Sequence, residues 1–306
     1  MGVVLPAAVQ PTIAAAASPG DSWPRRFHNA DGSWTRLAAP PTRILSTSVT
    51  VTGTLLAIGA PLVASASAAN GKFFAQWAHV ARQRNIGNLW PAGRVDLEAV
   101  YAAAPDLIIV SATGADSARD QLARFRAVAP TIVVDYGRQS WQGLAQELAG
   151  ATGLQAQASQ RIEAFGRTVA RARLALKLPH GQVNVISYNG PGTANPVATR
   201  DGVHGQLLRA LGFDVEAPDP RWHSTQDAAS DFIWTPYEFL PQLKASTTLL
   251  LRATEATAAA MLADPLLANL PSVRSRQVHA LGLNAFRIDY YSATELVERI
   301  VRLFGN

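Results

Sequence analysis

No cysteine occurs among the 306 residues, which excludes disulfides, thiolate metal sites and a cysteine nucleophile, and also the lipid-accepting Cys of a bacterial lipoprotein. Lysine is nearly as scarce. All but three of the 27 basic residues are Arg, the exceptions being Lys72, Lys177 and Lys244. No run approaches the roughly 18 apolar residues of a membrane helix. Signatures of turnover are missing too: there is no G-x-G-x-x-G or P-loop, no G-x-S-x-G elbow, and no paired carboxylates or His triad. An enzyme is therefore not expected. No basic run is interleaved with aromatics, so a nucleic-acid partner is not expected either.

What is present describes a globular chain, with 48% hydrophobic and 16% charged residues. Its length allows two lobes, each with its own core. The formal charge of +5 favours an anionic partner. Arg suits planar anions, because its fork donates two parallel hydrogen bonds, although GC-rich codon usage also explains the Arg bias. Residues 1–22 begin with small, apolar, uncharged residues running into Ala-Ala-Ala-Ser, as at the end of an export signal, but without a basic n-region. They are expected to be an export-signal remnant or a disordered linker.

Short β-branched runs alternate with helical patterns: RILSTS (43–48), PLVASA (61–66), DLIIVSA (106–112), TIVVDY (131–136), VNVISYN (183–189), TTLLLRA (247–253) and QVHALG (277–282). This alternation predicts βαβ units and mostly parallel sheets covered on both faces. One periodic segment, 140–178, separates the two sets of strands, with Leu144, Leu148, Ile162, Phe165, Val169 and Leu174 among its apolar positions. The expected fold is therefore α/β: two mostly parallel lobes, 23–139 and 179–306, joined by one long backbone helix, with a ligand cleft between them. Arg161 and Arg171 on that helix are expected to be neutral surface positions.

ILSTSVTVTGTLLAIGAPLVAS, APDLIIVSATGADSA, DPLLANLPSVRSRQVHALG and FRIDYYSA resemble, in the same order and at similar spacing, segments of periplasmic ferric-enterobactin (catecholate siderophore) binding proteins, one class of substrate-binding protein of ABC importers. The resemblance covers about residues 40–306. It departs in two loops, NLWPAGRVD (88–96) and PDPRWHSTQDAASDFIWTPY (218–237). It implies a periplasmic, non-enzymatic protein, lipid-anchored at the surface if the native N-terminus carries an anchor. Such a protein binds a ferric catecholate and delivers it to an inner-membrane permease, with haem or cobalamin as alternative ligands. No permanent cofactor is implied, Fe(III) entering only within the siderophore.

A ferric tris-catecholate is trianionic and rimmed by aromatic rings, so it calls for Arg together with flat apolar surfaces. The resemblance points to Arg200, between a strand and a helix, and to Arg252, a charge that follows the apolar Leu249–Leu251 of a strand run. Arg287 lies among aromatics, with Asp289 close enough in sequence to pair with it. Arg94 is the expected N-lobe contributor, since the position after DLIIVSA reads Thr113–Gly114 here and carries no charge. Trp90, Trp222, Tyr290 and Tyr291 are candidate ring partners, with Trp234 and Tyr237 also available. His223 is a candidate iron ligand, acting only through the bound siderophore. The hydroxyl loop Ser46–Thr50 can cap a helix or hold an anion. The resemblance also implies docking of Glu98 and Glu238, each in the first turn of an expected helix, into Arg pockets of the permease.

Overall fold

The computed structural model describes residues 22–225 and 231–305, so the expected export-signal remnant lies almost wholly outside the described residues. A two-stranded antiparallel hairpin, β1 (Arg25–His28) and β2 (Trp34–Leu37), comes first. The N-terminal lobe then alternates β3 (Ile44–Ser46), α1 (Val49–Ala57), β4 (Leu62–Ser67), α2 (Ala75–Gln83), β5 (Gly87–Pro91), α3 (Leu97–Ala103), β6 (Leu107–Ser111), α4 (Leu122–Arg126) and β7 (Thr131–Val134). Its five strands are ordered β5-β4-β3-β6-β7, and every pair is parallel. Such strands are covered on both faces and read as continuous apolar runs, as LIIVS in β6 does with all five residues buried.

Two helices follow where one was expected. α5 (Trp141–Thr152) stops at Gly153, whose φ of 78° is the left-handed conformation that closes a helix and costs glycine little. α6 (Gln155–Ala175) then runs 21 residues, about 32 Å at 1.5 Å per residue. Leu174, an expected apolar contact, is instead 86% exposed at its end.

The C-terminal lobe contains β8 (Val183–Ile186), β9 (Ala194–Ala198), α7 (Val203–Ala210), β10 (Phe232–Pro236), β11 (Thr247–Leu250), α8 (Glu255–Leu262), α9 (Pro271–Arg274), β12 (Val278–Ala280) and α10 (Tyr290–Phe304). Its sheet is ordered β10-β9-β8-β11-β12 and is mixed: β9 runs antiparallel to both neighbours. One apolar cluster spans both lobes, from Phe27 and Leu55 through Leu148, Phe165 and Ile300 to Val185, Leu211 and Leu249. Smaller clusters cover the far face of each sheet. No described helix is long and apolar enough to cross a membrane.

Candidate functional site

Both sheets end their parallel strands toward a cleft, the usual place for a ligand in such sheets. On the N-terminal side the hydroxyl loop is buried except at Thr50. Ser48 caps α1, accepting from Val51 N, and its hydroxyl donates to Asp116 Oδ2 at 2.7 Å. Thr50 N donates to the same oxygen at 2.9 Å, and Tyr136 Oη donates to Asp116 Oδ1 at 2.7 Å. The anion at this helix N-terminus is therefore the protein's own carboxylate. Burial, and then the Asp116 charge, push the Tyr136 phenol upward, while the Arg287 charge pulls it down, which places Arg287 near the N-terminal wall.

The cavity between the lobes has a volume of about 440 Å³ and is lined by Asn70, Phe74 and Gln76 from one lobe and by Arg252, Phe286 and Arg287 from the other. Arg252 leaves β11 with φ of 51°, the left-handed region that costs a non-glycine residue on the order of 1–2 kcal/mol. Its guanidinium carbon lies 5.6 Å from the centre of the Phe286 ring, and that of Arg287 lies 5.7 Å from the same ring. Neither Arg has an ion-pair partner among the described residues. The Phe286 ring is stacked on Phe232 at 4.9 Å and 6°. Behind them the buried His204, which burial keeps neutral, donates from Nε2 to Ala285 O at 2.8 Å. Two unpaired cations on one aromatic plate fit an anionic ligand with flat rings.

Asp289 does not pair with Arg287. It caps α10, accepting from Tyr291 N and Ser292 N at 2.8 and 2.9 Å and from Gln76 Nε2 at 3.1 Å. Burial raises its carboxyl to about 6, only partly offset by these bonds.

Other expected residues go elsewhere. Arg200 does not line the cavity: because β9 is antiparallel, its end falls at the amino edge of the sheet, and Arg200 Nη1 lies 3.8 Å from Asp214. Trp90, 3% exposed, is part of the N-terminal core and has no face to offer. Tyr290 packs edge-on against Trp141, and its hydroxyl accepts from Arg161 at 3.2 Å. Tyr291 stands edge-on to Tyr290, half-buried, with its phenol raised chiefly by burial. Trp222 is stacked on Phe239 at 6.1 Å and 5°, within the C-terminal lobe. His223 accepts from Trp234 N at Nδ1 and meets Thr225 Oγ1 at Nε2, so both ring nitrogens are engaged. No group of three or more His, Asp or Glu side chains among the described residues is arranged to hold a metal.

Arg94 is exposed and lines a separate open groove of about 620 Å³ together with Glu98, Asp120 and Arg124. Glu98 is exposed in the first turn of α3, whose cap Asp96 accepts from Ala99 N. Glu238 is exposed in a 3-10 turn, Tyr237–Gln242, where an α-helix was expected. Phe286, Phe232, His204 and Gln76 were not singled out from the sequence. Phe286 alone had a signal, since it opens the FRIDYYSA motif.

The sequence profile described as periplasmic binding protein matches residues 44–284. The ferric enterobactin-binding periplasmic protein FepB of Escherichia coli is 38% identical over 299 residues, covering 94% of this chain and 93% of its own. The crystal structure of holo-ViuP is 51% identical with a TM-score of 0.90, over 93% of this chain and 96% of its own. That of Staphylococcus aureus SirA complexed with staphyloferrin B has a TM-score of 0.72 over 91% of this chain and 97% of its own, and at 17% identity it shares the fold alone.

Proposed function

The chain belongs to the periplasmic binding protein family, and we propose that it is the substrate-binding component of an iron-siderophore ABC importer, holding a ferric catecholate between its lobes and passing it to a permease. The observation that carries this reading is the pair of unpaired guanidiniums, Arg252 and Arg287, set against the Phe286 ring in an inter-lobe cavity. The reading is of a carrier without turnover, acting in the periplasm, with lobes at 23–139 and 179–306 and the helical segment 140–178 between them.

The test is a fluorescence titration. A ferric catecholate absorbs visible light, so its binding quenches the Trp emission saturably, while haem, cobalamin and a ferric hydroxamate bind far more weakly. Arg252→Ala and Arg287→Ala each remove a charge-assisted contact, expected to cost about 1.5–3 kcal/mol, or roughly ten- to a hundredfold in affinity. A preference for haem or a hydroxamate, or wild-type affinity in both folded variants, rejects the reading.

Glu98 and Glu238 are exposed, one on each lobe, and we assign them to permease docking. Replacing both by Ala leaves ligand affinity unchanged and lowers uptake by cells; undiminished uptake removes them from this role.

A further inference from the structure

Gln76 is the second residue of α2, only 5% exposed, and it lines the inter-lobe cavity. The two ends of its amide behave differently. Nε2 donates to Asp289 Oδ2 at 3.1 Å. Oε1 accepts no hydrogen bond among the described residues, yet it is not among the fully buried atoms left without a partner, so it keeps accessible surface on a side chain that lines the cavity.

This orientation follows from the chemistry of Asp289. Oδ1 is held by the α10 cap, accepting from Tyr291 N and Ser292 N. At pH 7.5 the carboxylate is ionised and can only accept, so the amide facing it must turn its NH₂ inward. Because the amide is planar, its oxygen then points the other way. The cavity therefore contains an acceptor beside two guanidiniums. An anion made only of acceptor oxygens gains nothing from that oxygen and is repelled by it, whereas an N–H on the ligand satisfies it.

We infer that Gln76, oriented by Asp289, determines specificity: its Oε1 shares, as a second acceptor, the amide N–H of the bound ferric catecholate that also bonds the ortho oxygen of its own ring. The inference rests on the catecholate reading above and refines it. The cationic pair selects for charge and rings, and Gln76 selects for the linkage that carries the rings. Asp289 is a positioning residue. In an Asp289→Asn variant the Asn carbonyl oxygen keeps the cap, since Asn also caps helices. Its NH₂ then faces Gln76, which flips and presents a donor to the cavity instead of an acceptor.

The experiment titrates wild type, Gln76→Met, Asp289→Asn and the double variant, all at pH 7.5, with two probes. One is ferric enterobactin, whose catechols are joined through amide N–H groups. The other is its N-methylated analogue, which keeps the charge and rings but loses the amide N–H and its internal bond, so each variant is compared with wild type within one probe. For ferric enterobactin each single variant is expected to lose about tenfold in affinity, as a buried hydrogen bond to a neutral group implies. Asp289→Asn should cost nothing further in the Gln76→Met background. For the N-methylated probe, Gln76→Met should match or exceed wild type. Losses that add fully, that are equal for both probes, or that are absent overturn the inference and leave the catecholate reading standing. Failure of wild type to bind ferric enterobactin removes both. If Asp289→Asn does not fold, the two-probe comparison of Gln76→Met decides alone.

Discussion

Asp289 is drawn in two directions by its surroundings. Its hydrogen bonds favour the ionised form, but burial outweighs them and raises the carboxyl from 3.8 to about 6. An acid whose folded value lies above its unfolded value keeps its proton in the native state where the unfolded chain has lost it. Its contribution to stability is therefore favourable on the acid side and is lost as the pH rises from about 4 to about 6, with the full penalty present above 6. A shift of this size corresponds to about 3 kcal/mol. Wild type, measured by urea denaturation against Asp289→Asn at pH 4 and pH 7, should lose stability relative to the variant by an amount of that order. A difference that does not change with pH contradicts this account. The neighbourhood is tight: a Cβ on Gly53 of α1 would lie 2.6 Å from Asp289 Oδ2 and 2.9 Å from Trp77 Nε1. Only glycine lets α1 and α10 approach this closely. Of the cavity residues, Arg252 and Arg287 were legible in the sequence, because a charge after an apolar run or among aromatics must emerge somewhere polar. Gln76 and His204 were not, since their roles depend on contacts 213 and 81 residues distant.

Among the elements, α6 is bound at one point to two others. Arg161 Nε donates to Ala57 O at the end of α1 at 2.9 Å, Nη1 donates to Tyr290 Oη at 3.2 Å, and the guanidinium lies 4.8 Å from the Tyr290 ring on α10. Arg171, further along, is exposed and, among the described residues, meets only its own helix, at Thr168. The two positions look alike in sequence and are not equivalent. Arg161→Ala should cost about 1.5–3 kcal/mol in urea unfolding, as for hydrogen bonds to a charged group, while Arg171→Ala stays within about 0.5. Equal effects would show that the junction contributes nothing. All seven apolar runs that the sequence marks contain strands. The other five strands are not marked as runs, β9 entering only as the strand before Arg200, and the reasons are identifiable. β5 and β10 are sheet edges ending at Pro91 and Pro236, the hairpin β1-β2 stands apart from both sheets, and β9 carries Pro196 in an interior strand, where proline argues for a loop. The direction of β9 was equally hidden, and with it the displacement of Arg200. Strand direction is set by partners, not by a five-residue run.

At the scale of the molecule, the core shared between the lobes is the feature that matters. Val185 and Leu249 in one sheet and Ile44 and Ile109 in the other belong to a single buried cluster, packed through α1, α5, α6 and α10. Proteins whose lobes swing about a hinge have a thin connection that absorbs the change; here, closure would shear a packed interior. Small-angle scattering should therefore give the same radius of gyration with and without ligand to within about 1 Å, the scale of motion in preorganised complexes. A contraction of several ångströms would show that the interior slips. If the frame is this stiff, and Glu98 and Glu238 dock as proposed, they form a ruler of fixed length, equally spaced whether the protein is loaded or empty. A permease could not then recognise cargo by distance. On the proposed catecholate reading, what would change is the sign of the mouth: bare guanidiniums present a positive opening, and a trianion between them would reverse it. The transporter would read polarity, not posture.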